Sequence, residues 1–325
     1  MTTKDCVLHF LEKNRGSSVS GTLISKELGI SRNAVWKAVN QLKKEGFQIE
    51  SKPNQGYSLK QSDDLLSVQG IQTYLTVDDD VDLRVYDEVK STNTLAKKDA
   101  IDHSGQTTVI VANSQTEGKG RRGRTFYSPP GSGIYLSVVL NPKQFKFQNL
   151  TLITAVAAVS VAQVIEETTG EKPEIKWVND VLLHGRKICG ILTEAVTDLE
   201  TGGMQWVVVG IGLNVTTPEK GFPADIQQRA GTLFQQNLSE LPRNQLAAGI
   251  INRFLANSYS WDDQQIVAAY KKRMPLLGKS VVVNDFSSEP YLVTARDVNE
   301  QGQLVVETQG GEIKVLNSEE ISIKI

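Results

Sequence analysis

The chain has 325 residues, which is enough for two or three domains, and its hydrophobic share of 39% is ordinary for a globular protein. No apolar stretch is expected to approach the roughly 20 residues that a membrane span requires, and the amino terminus lacks the pattern of a signal peptide. Two cysteines, Cys6 and Cys189, are too few for a disulfide framework or a metal cluster. We therefore expect a protein of the reducing cytoplasm with no membrane partner and no metal site of its own.

The net charge of -2 conceals an asymmetry along the chain. Residues 1–60 contain ten Lys and Arg against five Asp and Glu, whereas the remainder contains 25 Lys and Arg against 32 Asp and Glu. This asymmetry predicts that only the basic amino-terminal segment, residues 1–60 (the basic head), binds a polyanion.

The basic head has the pattern of three helices followed by a β-hairpin. Helices are predicted at 5–13, 21–28 and 32–45 from the spacing of apolar residues. Ser20 and Ser31 stand where N-caps belong, and Gly29 stands where the second helix ends. Residues 47–59 alternate around a turn that contains Pro53, which indicates a hairpin wing.

A short helix, a glycine-containing turn and a basic-faced helix form a helix-turn-helix, whose second helix has the right width for the major groove of DNA. The charge bias favours DNA over two alternatives, a winged-helix module that binds protein and a remnant that binds nothing. Trp36 is open to two interpretations, because a tryptophan at the rim of the core fits the pattern as well as one that contacts DNA. The predicted DNA-binding residues are Thr22, Ser31, Arg32, Asn33, Trp36, Lys37 and Asn40.

A run of alternating glycines and cations, GKGRRGR at 118–124, follows a strand-like stretch at 107–112. Clustered cations resist burial, and the glycines leave the backbone free to fold around an anion such as phosphate. A solvated, flexible surface loop is the alternative. A dinucleotide-binding fingerprint is improbable because Pro129 and Pro130 prevent a helix from opening after the glycines. The run is therefore predicted to form a loop that ends before a strand at 134–140.

The rest of the chain alternates strands and helices and then changes to strands alone. Further strands are predicted at 83–88, 174–177, 181–183, 187–194 and 205–211. Helices are predicted at 95–98, 151–167, 243–258 and 262–273. The helix at 151–167 is apolar on most faces and is therefore expected to be buried.

The predicted fold class is α+β with several domains. We expect a winged helix-turn-helix at 1–62, a central mixed β-sheet with helices at 63–276, and a small SH3-like β-barrel at 277–325. A module as small as the last has a small hydrophobic core, so we expect it to depend for its stability on packing against the neighbouring domain.

Several motifs in the central segment occur together in the order and spacing of one family. They are Ser91-Thr92-Asn93, Gln115, the run at 118–124, Lys176-Trp177-Val178-Asn179-Asp180, the stretch 185–192, and Gly210-Ile211-Gly212-Leu213-Asn214. In that register the chain closely resembles the biotin–protein ligases. With its winged helix it resembles, end to end, the bifunctional bacterial type that also represses the biotin operon. Three positions depart from the family pattern: Lys119 replaces arginine, Phe126 replaces tryptophan and Val178 replaces proline.

The resemblance implies a reaction in two steps. The carboxylate of biotin attacks the α-phosphorus of ATP, giving biotinyl-5′-adenylate and pyrophosphate, and a lysine amine of a carrier protein then takes the biotin and releases AMP. Two anions meet in the first step, so the enzyme has to neutralise both. By resemblance, Lys187 and Arg121 are the catalytic residues for this task. ATP and biotin are then substrates, and Mg²⁺ arrives with ATP.

The resemblance also assigns residues to the two ligands. The biotin set is Ser91, Thr92, Asn93, Gln115, Lys119, Gly120, Arg121, Lys187 and Gly190. The ATP set is Arg122, Arg124, Phe126, Asn179, Asp180, Asn214 and Arg243.

The implied partners are the biotin carboxyl carrier protein or domain of biotin-dependent carboxylases, operator DNA of biotin genes, and a second copy of the chain in a ligand-linked homodimer. Two alternatives stay open. A ligand-sensing repressor without ligase activity would dispense with Lys187 and Arg121. A lipoate–protein ligase would not need the polar Ser-Thr-Asn and Gln set, because lipoate has no ureido group.

Overall fold

The computed structural model describes residues 1–77, 81–102, 106–142, 149–197, 204–235, 243–284, 289–317 and 320–323. These residues group into two compact units. The first contains 1–76 together with 243–251, and the second contains the described residues between 77 and 235 and from 252 onward. The units differ from the three predicted domains because the carboxyl-terminal strands group with the central sheet, so the three-domain division stays a prediction.

The first unit has the predicted winged helix-turn-helix. Its elements are α1 (Thr3–Lys13), α2 (Gly21–Leu28), α3 (Arg32–Lys44), β1 (Ile49–Lys52), β2 (Gly56–Leu59) and α4 (Val68–Gln72). Ser20 and Ser31 cap α2 and α3 by accepting backbone N–H bonds from three residues on, and Gly29 ends α2 in the left-handed conformation. β1 and β2 pair antiparallel as the wing.

Apolar faces of the three helices meet in one core. Val7, Leu11, Ile24, Val35 and Leu42 are all buried there. Their helical spacing turns the opposite faces of α2 and α3 toward solvent.

The second unit is built on a seven-stranded mixed sheet. Its strands are β3 (Val81–Val89), β4 (Thr107–Gln115), β5 (Gly133–Leu140), β6 (Glu174–Lys176), β7 (Asp180–Leu183), β8 (Arg186–Thr197) and β9 (Met204–Asn214). The spatial order is β3-β4-β5-β9-β8-β7-β6. β3 and β4 are parallel, and the other neighbours are antiparallel. Every strand predicted for this region is present.

Four helices accompany this sheet, α5 (Thr92–Asp102), α6 (Leu150–Thr169), α7 (Arg243–Ser260) and α8 (Asp263–Lys271). Residues 243–251 of α7 group with the first unit. By length and composition α6 is apolar enough to cross a membrane, which corrects the expectation that no stretch approaches that length. However, 72% of its apolar stretch is buried inside the fold, as is typical of the core helix that the sequence predicted.

The last strands form a second, smaller sheet. They are β10 (Ser280–Asn284), β11 (Tyr291–Val298), β12 (Leu304–Thr308), β13 (Ile313–Leu316) and β14 (Glu320–Ile323). Their order is β13-β12-β11-β10-β14, and all neighbours are antiparallel. The predicted all-β module is therefore present, but among the described strands β13 and β14 do not pair, so the expected closure into a barrel is not seen.

Candidate active site

A cleft opens in the second unit where the start of α5 meets β8, β9 and the glycine-rich loop. Its lining residues are Ser91, Thr92, Asn93, Gln115, Lys119, Gly120, Arg121, Phe126, Leu136, Asn179, Lys187, Gly190, Ile191, Leu192, Gly210, Ile211 and Gly212. All nine residues of the predicted biotin set are in this lining, together with Phe126 and Asn179 of the ATP set. Residues that are far apart in the sequence therefore converge on one space, which combines cations, polar groups and an apolar wall.

The polar end of the cleft is a hydrogen-bonded network at the start of α5. Gln115 Oε1 accepts bonds from the Thr92 backbone N–H (2.9 Å) and the Thr92 hydroxyl (3.1 Å). Gln115 Nε2 donates to Ser128 Oγ at 2.9 Å. Ser91 Oγ accepts the backbone N–H of Thr94 at 3.4 Å, so this residue also caps the helix. These bonds hold donors and acceptors in fixed positions for a polar ligand group.

Asn93 is fully engaged within the protein. Its Nδ2 donates to the Leu192 carbonyl at 3.1 Å and to Glu194 Oε2 at 2.9 Å, and its Oδ1 accepts from Ser137 Oγ at 2.6 Å. Both amide hydrogens are thus used, which supports a role in shaping the cleft. The predicted contact of Asn93 with biotin stays a prediction.

Ser128, Ser137 and Glu194 support this network and are not predicted from the sequence. Ser137 is fully buried on β5, and its Oγ lies 2.8 Å from Thr92 Oγ1. A serine in an otherwise apolar strand was the available signal, because a buried hydroxyl requires a partner. The signal could not identify that partner, because it lies 45 residues away in the sequence.

Glu194 has a depressed pKa. Burial alone raises the pKa of this carboxyl, but hydrogen bonds from Lys97 Nζ (2.7 Å) and Asn93 outweigh burial. A depressed folded-state pKa contributes stability above the unfolded-state value, and that stability is lost as pH falls through the folded-state value.

We expect Glu194→Gln to destabilise the second unit at neutral pH by about 0.5–1 kcal/mol, because the Lys97–Glu194 pair is partly exposed. The difference in melting temperature from the unchanged protein should be constant from about pH 6 to 9 and should shrink below about pH 4. Thermal unfolding followed across that pH range measures it. A difference that persists undiminished in acid would contradict the assignment.

The glycine-rich loop is the predicted connection between β4 and β5. A single 3₁₀ turn covers Arg121–Gly123, and the Gly120 N–H donates to the Arg124 carbonyl at 2.7 Å. Arg122 has a φ of 57°, a left-handed conformation that is uncommon for a residue with a side chain. The loop backbone is thereby folded so that Lys119 and Arg121 line the cleft, while Arg122 and Arg124 are exposed outside its lining.

Each of the two predicted catalytic cations has a neighbour in, or directly after, the turn between β6 and β7. Lys187 Nζ lies 2.5 Å from Asp180 Oδ1, and Arg121 Nη1 donates to Asn179 Oδ1 at 3.3 Å. Asn179 is fixed in turn, since its Nδ2 donates to the Ile191 carbonyl at 2.8 Å. Two adjacent residues, the last of the turn and the first of β7, therefore hold an arginine and a lysine at the same end of the cleft.

Glycines form the floor of the cleft. Gly190 on β8 and Gly212 on β9 are register partners, and the Phe126 ring lies against both. A Cβ at Gly212 would come within 2.6 Å of the ring, and a Cβ at Gly190 would come within 3.2 Å of it. The Phe126 ring fits against the two strands because neither position has a side chain.

Three other members of the ATP set lie outside the lining of the cleft, namely Asp180, Asn214 and Arg243. Asn214 Nδ2 donates to the Gly231 carbonyl at 3.0 Å and so ties down the segment after β9. Arg243 is buried in the first unit, where its Nε lies 2.8 Å from Asp64 Oδ2. The roles of these three residues in binding ATP stay predictions.

The predicted DNA-binding residues lie on the solvent face of α2 and α3. Six of them are exposed and Asn40 is half-buried; the six are Thr22, Ser31, Arg32, Asn33, Trp36 and Lys37. Trp36 is 55% exposed, so it does not belong to the core. Its exposure disfavours the interpretation as a core-rim residue, and the contact of Trp36 with DNA stays a prediction.

Fold and cleft together define a class of protein, in which a DNA-binding head shares the chain with a small-molecule ligase domain. The model of the biotin/lipoate A/B protein ligase family matches residues 85–214, and that of a helix-turn-helix domain matches residues 5–58. The bifunctional ligase/repressor BirA of Escherichia coli (strain K12) is 30% identical over 95% of this chain and 94% of its own length. The BirA of Bacillus subtilis (strain 168) is 36% identical over 73% of this chain and 71% of its own.

Among solved structures, the biotin protein ligase from Aquifex aeolicus in complex with biotin and ATP is 29% identical to this chain. It superposes with a TM-score of 0.62 over 75% of this chain and 98% of its own. The chain therefore belongs to the biotin/lipoate A/B protein ligase family, in the branch that carries an amino-terminal DNA-binding domain.

Proposed function

We propose that the chain is a biotin–protein ligase that activates biotin with ATP and transfers it to a lysine of a biotin carboxyl carrier protein, and that it also represses transcription. The observation that carries the ligase assignment is the convergence of Lys187 and Arg121 on one cleft that has a polar network at its other end. Such a cleft suits a ligand with a polar ring and a carboxylate tail.

The first step joins two anions, which is why the site is rich in cations. One oxygen of the biotin carboxylate attacks the α-phosphorus of ATP, and pyrophosphate leaves with the electrons of the broken bond. Lys187 and Arg121 neutralise the carboxylate and the developing charge on the α-phosphate. Preorganised charges in a cleft cost little reorganisation at the moment of reaction, so they favour the transition state over the separated reactants.

In the second step the ε-amine of the carrier lysine attacks the acyl carbon of the mixed anhydride. An amide bond forms, the bond to the phosphate oxygen breaks, AMP leaves, and the amine loses a proton. The adenylate is already an activated acyl donor, so a covalent intermediate on the enzyme is not required. We expect the glycine-rich loop, which lines the cleft with Lys119, Gly120 and Arg121, to shield the adenylate from water.

Mg²⁺ enters with ATP in this proposal. Asp180 forms an ion pair with the proposed catalytic lysine, Lys187, and this pair disfavours Asp180 as a metal ligand. Phosphate oxygens and water are therefore the ligands that we expect for the metal ion.

Incubation with ATP, Mg²⁺, biotin and an unmodified carrier domain, followed by mass measurement of the carrier, tests the ligase assignment. One biotinyl group should be added to the carrier, and omission of either ATP or biotin should abolish the addition. Lipoate in place of biotin separates the nearest alternative, because lipoate has no ureido group to bond to the polar network around Thr92 and Gln115. A carrier that takes up lipoate instead would overturn the assignment.

The exposed basic face of α3 supports the second part of the proposal, binding of operator DNA. In a winged helix the second helix of the motif enters the major groove, and its cations also neutralise phosphates. Arg32 and Lys37 are exposed on that face.

Lys37→Ala should weaken binding to a duplex of random sequence and lower the slope of log affinity against log salt by about one, the signature of a lost phosphate contact. Titrations at several salt concentrations measure the slope. Lys98→Ala, which removes an exposed lysine from α5 in the second unit, is the matched control and should leave the slope unchanged. Equal slopes for Lys37→Ala and the unchanged protein would exclude Lys37 from the interface.

We further propose that the adenylate links the two functions by favouring a homodimer, which would present two winged helices to a two-fold operator. Sedimentation with and without biotin and ATP tests this step, and equal mass in both conditions would remove it. An SH3-like barrel for 277–325 and a location in the cytoplasm, where ATP and the carrier are available, complete the proposal.

A further inference from the structure

The turn between β6 and β7 carries the neighbours of both proposed catalytic cations. Trp177, Val178 and Asn179 form this turn, and Asp180 opens β7 directly after it. Asn179 contacts Arg121, and Asp180 contacts Lys187. A displacement of the turn would therefore move the neighbours of two charges at once.

Two buried side chains anchor the turn. The Trp177 indole N–H donates to the Gly302 carbonyl at 3.0 Å, and the Tyr270 hydroxyl of α8 donates to the Val178 carbonyl at 2.7 Å. Trp177 is 3% exposed and Tyr270 is fully buried. Burial raises the pKa of Tyr270, so its hydroxyl keeps the proton that it donates.

The Gly302 carbonyl is itself held in place by the second sheet and by α6. Gly302 ends the turn between β11 and β12, where Asn299 Oδ1 accepts the backbone N–H groups of Gln301 (3.1 Å) and Gln303 (2.9 Å). Asn149 Nδ2, at the start of α6, donates to the Gln301 carbonyl at 3.0 Å.

Gly302 also lies close to α6 and has a backbone conformation that favours glycine. Its φ is +77°, and a Cβ there would lie 3.0 Å from Thr151 Cγ2. The acceptor of the Trp177 bond thus belongs to a turn of the carboxyl-terminal sheet that is hydrogen-bonded internally and to the start of α6.

We infer that Trp177 and Tyr270 are positioning residues for adenylation. Through them the carboxyl-terminal sheet and α8 hold the turn that sets the placement of Lys187 and Arg121. Neither side chain lines the cleft, so both act through the placement of Lys187 and Arg121. This inference rests on the proposed ligase function.

The physical reason is the steep dependence of electrostatic catalysis on geometry. A preorganised cation stabilises the transition state only where the new charge develops, and a displacement of about 1 Å can cost up to 100-fold in rate. Removing the hydrogen-bonding group of either anchor leaves the aromatic body in the core but releases one fixed point of the turn.

Trp177→Phe and Tyr270→Phe test the inference in the full chain. Each should lower kcat of biotin-dependent ATP–pyrophosphate exchange by about tenfold, while KM for biotin changes less than twofold. Trp177→Phe in a Lys187→Ala background should lower the residual rate by less than about threefold. Trp177 acts through the positive charge of Lys187, and the background variant has already lost that charge.

Trp206→Phe is the matched control, because Trp206 is a buried tryptophan of the same sheet that packs with Ala96 and Ala100 of α5. It should leave exchange within about twofold of the unchanged protein, and melting temperatures identify any variant that fails to fold. Unchanged kcat in both anchor variants, an equal loss in Trp206→Phe, or full additivity with Lys187→Ala would each overturn the inference. An unchanged protein without exchange activity would instead refute the proposed function, so the two failures are distinguishable.

Discussion

Lys187→Ala is expected to raise the barrier to adenylate formation by about 2–4 kcal/mol, which is a loss of roughly 30- to 1,000-fold in ATP–pyrophosphate exchange. Lys187 lines the cleft, and its ammonium lies 2.5 Å from Asp180, so its position is fixed before substrate arrives. Alanine removes the positive charge from the place where the two anionic reactants come together. It also leaves Asp180 there without its counter-ion. The remaining negative charge adds to the repulsion that the lysine relieves.

Exchange measured with saturating biotin and ATP reports this step without the carrier. Lys98→Ala, a lysine exposed on α5, provides the control and should retain full exchange. Arg121→Ala should also lose exchange, by a comparable factor if the two cations share the neutralisation. Full activity in both Lys187→Ala and Arg121→Ala would show that clustered positive charge is not what drives the first step.

Gly210→Ala is expected to lower biotin affinity by about 10- to 100-fold, because the new side chain leaves one or two buried polar groups without a hydrogen-bond partner. A Cβ at this position would lie 2.1 Å from Asn93 Oδ1. The Asn93 amide cannot turn aside without breaking its bonds to Leu192, Glu194 and Ser137, so the network next to the ligand has to reorganise.

Calorimetric titration with biotin in the absence of ATP measures the effect. Gly310→Ala is the matched control, because that glycine has no positive φ and its nearest neighbour, Thr308 Oγ1, would be 3.8 Å from the new Cβ. Gly310→Ala should bind biotin normally. Normal binding by Gly210→Ala would mean that Asn93 does not shape the cleft.

Local features of the fold could be predicted from the sequence because their partners are close along the chain. Ser20 and Ser31 bond to backbone groups three residues away, and Gly29 ends its helix within its own turn. The glycine-rich loop was likewise predictable, since two prolines and the glycines that follow the run exclude a helix. In each case the decisive interaction spans only a few residues.

Long-range features could not be predicted in the same way. The Ser137 bond to Thr92 depends on how β5 lies against the start of α5, and the Arg243 bond to Asp64 joins residues 179 apart in sequence. Closure of a barrel likewise depends on which distant strands pair, which alternation within single strands does not specify. The cleft residues were nevertheless identified together, because their combined spacing matched a family even though no single motif was decisive.

The glycine floor under Phe126 has a consequence for the response of this enzyme to inhibitors. A compound that stacks on the Phe126 ring depends on bare backbone at Gly190 and Gly212, where other sites present replaceable side chains. Resistance by enlarging a contact residue would place a methyl group in the space that the aromatic ring and the natural ligand need. Escape mutations are therefore expected at the rim of the cleft, and a compound anchored on the floor should lose potency more slowly under selection than one anchored on the rim.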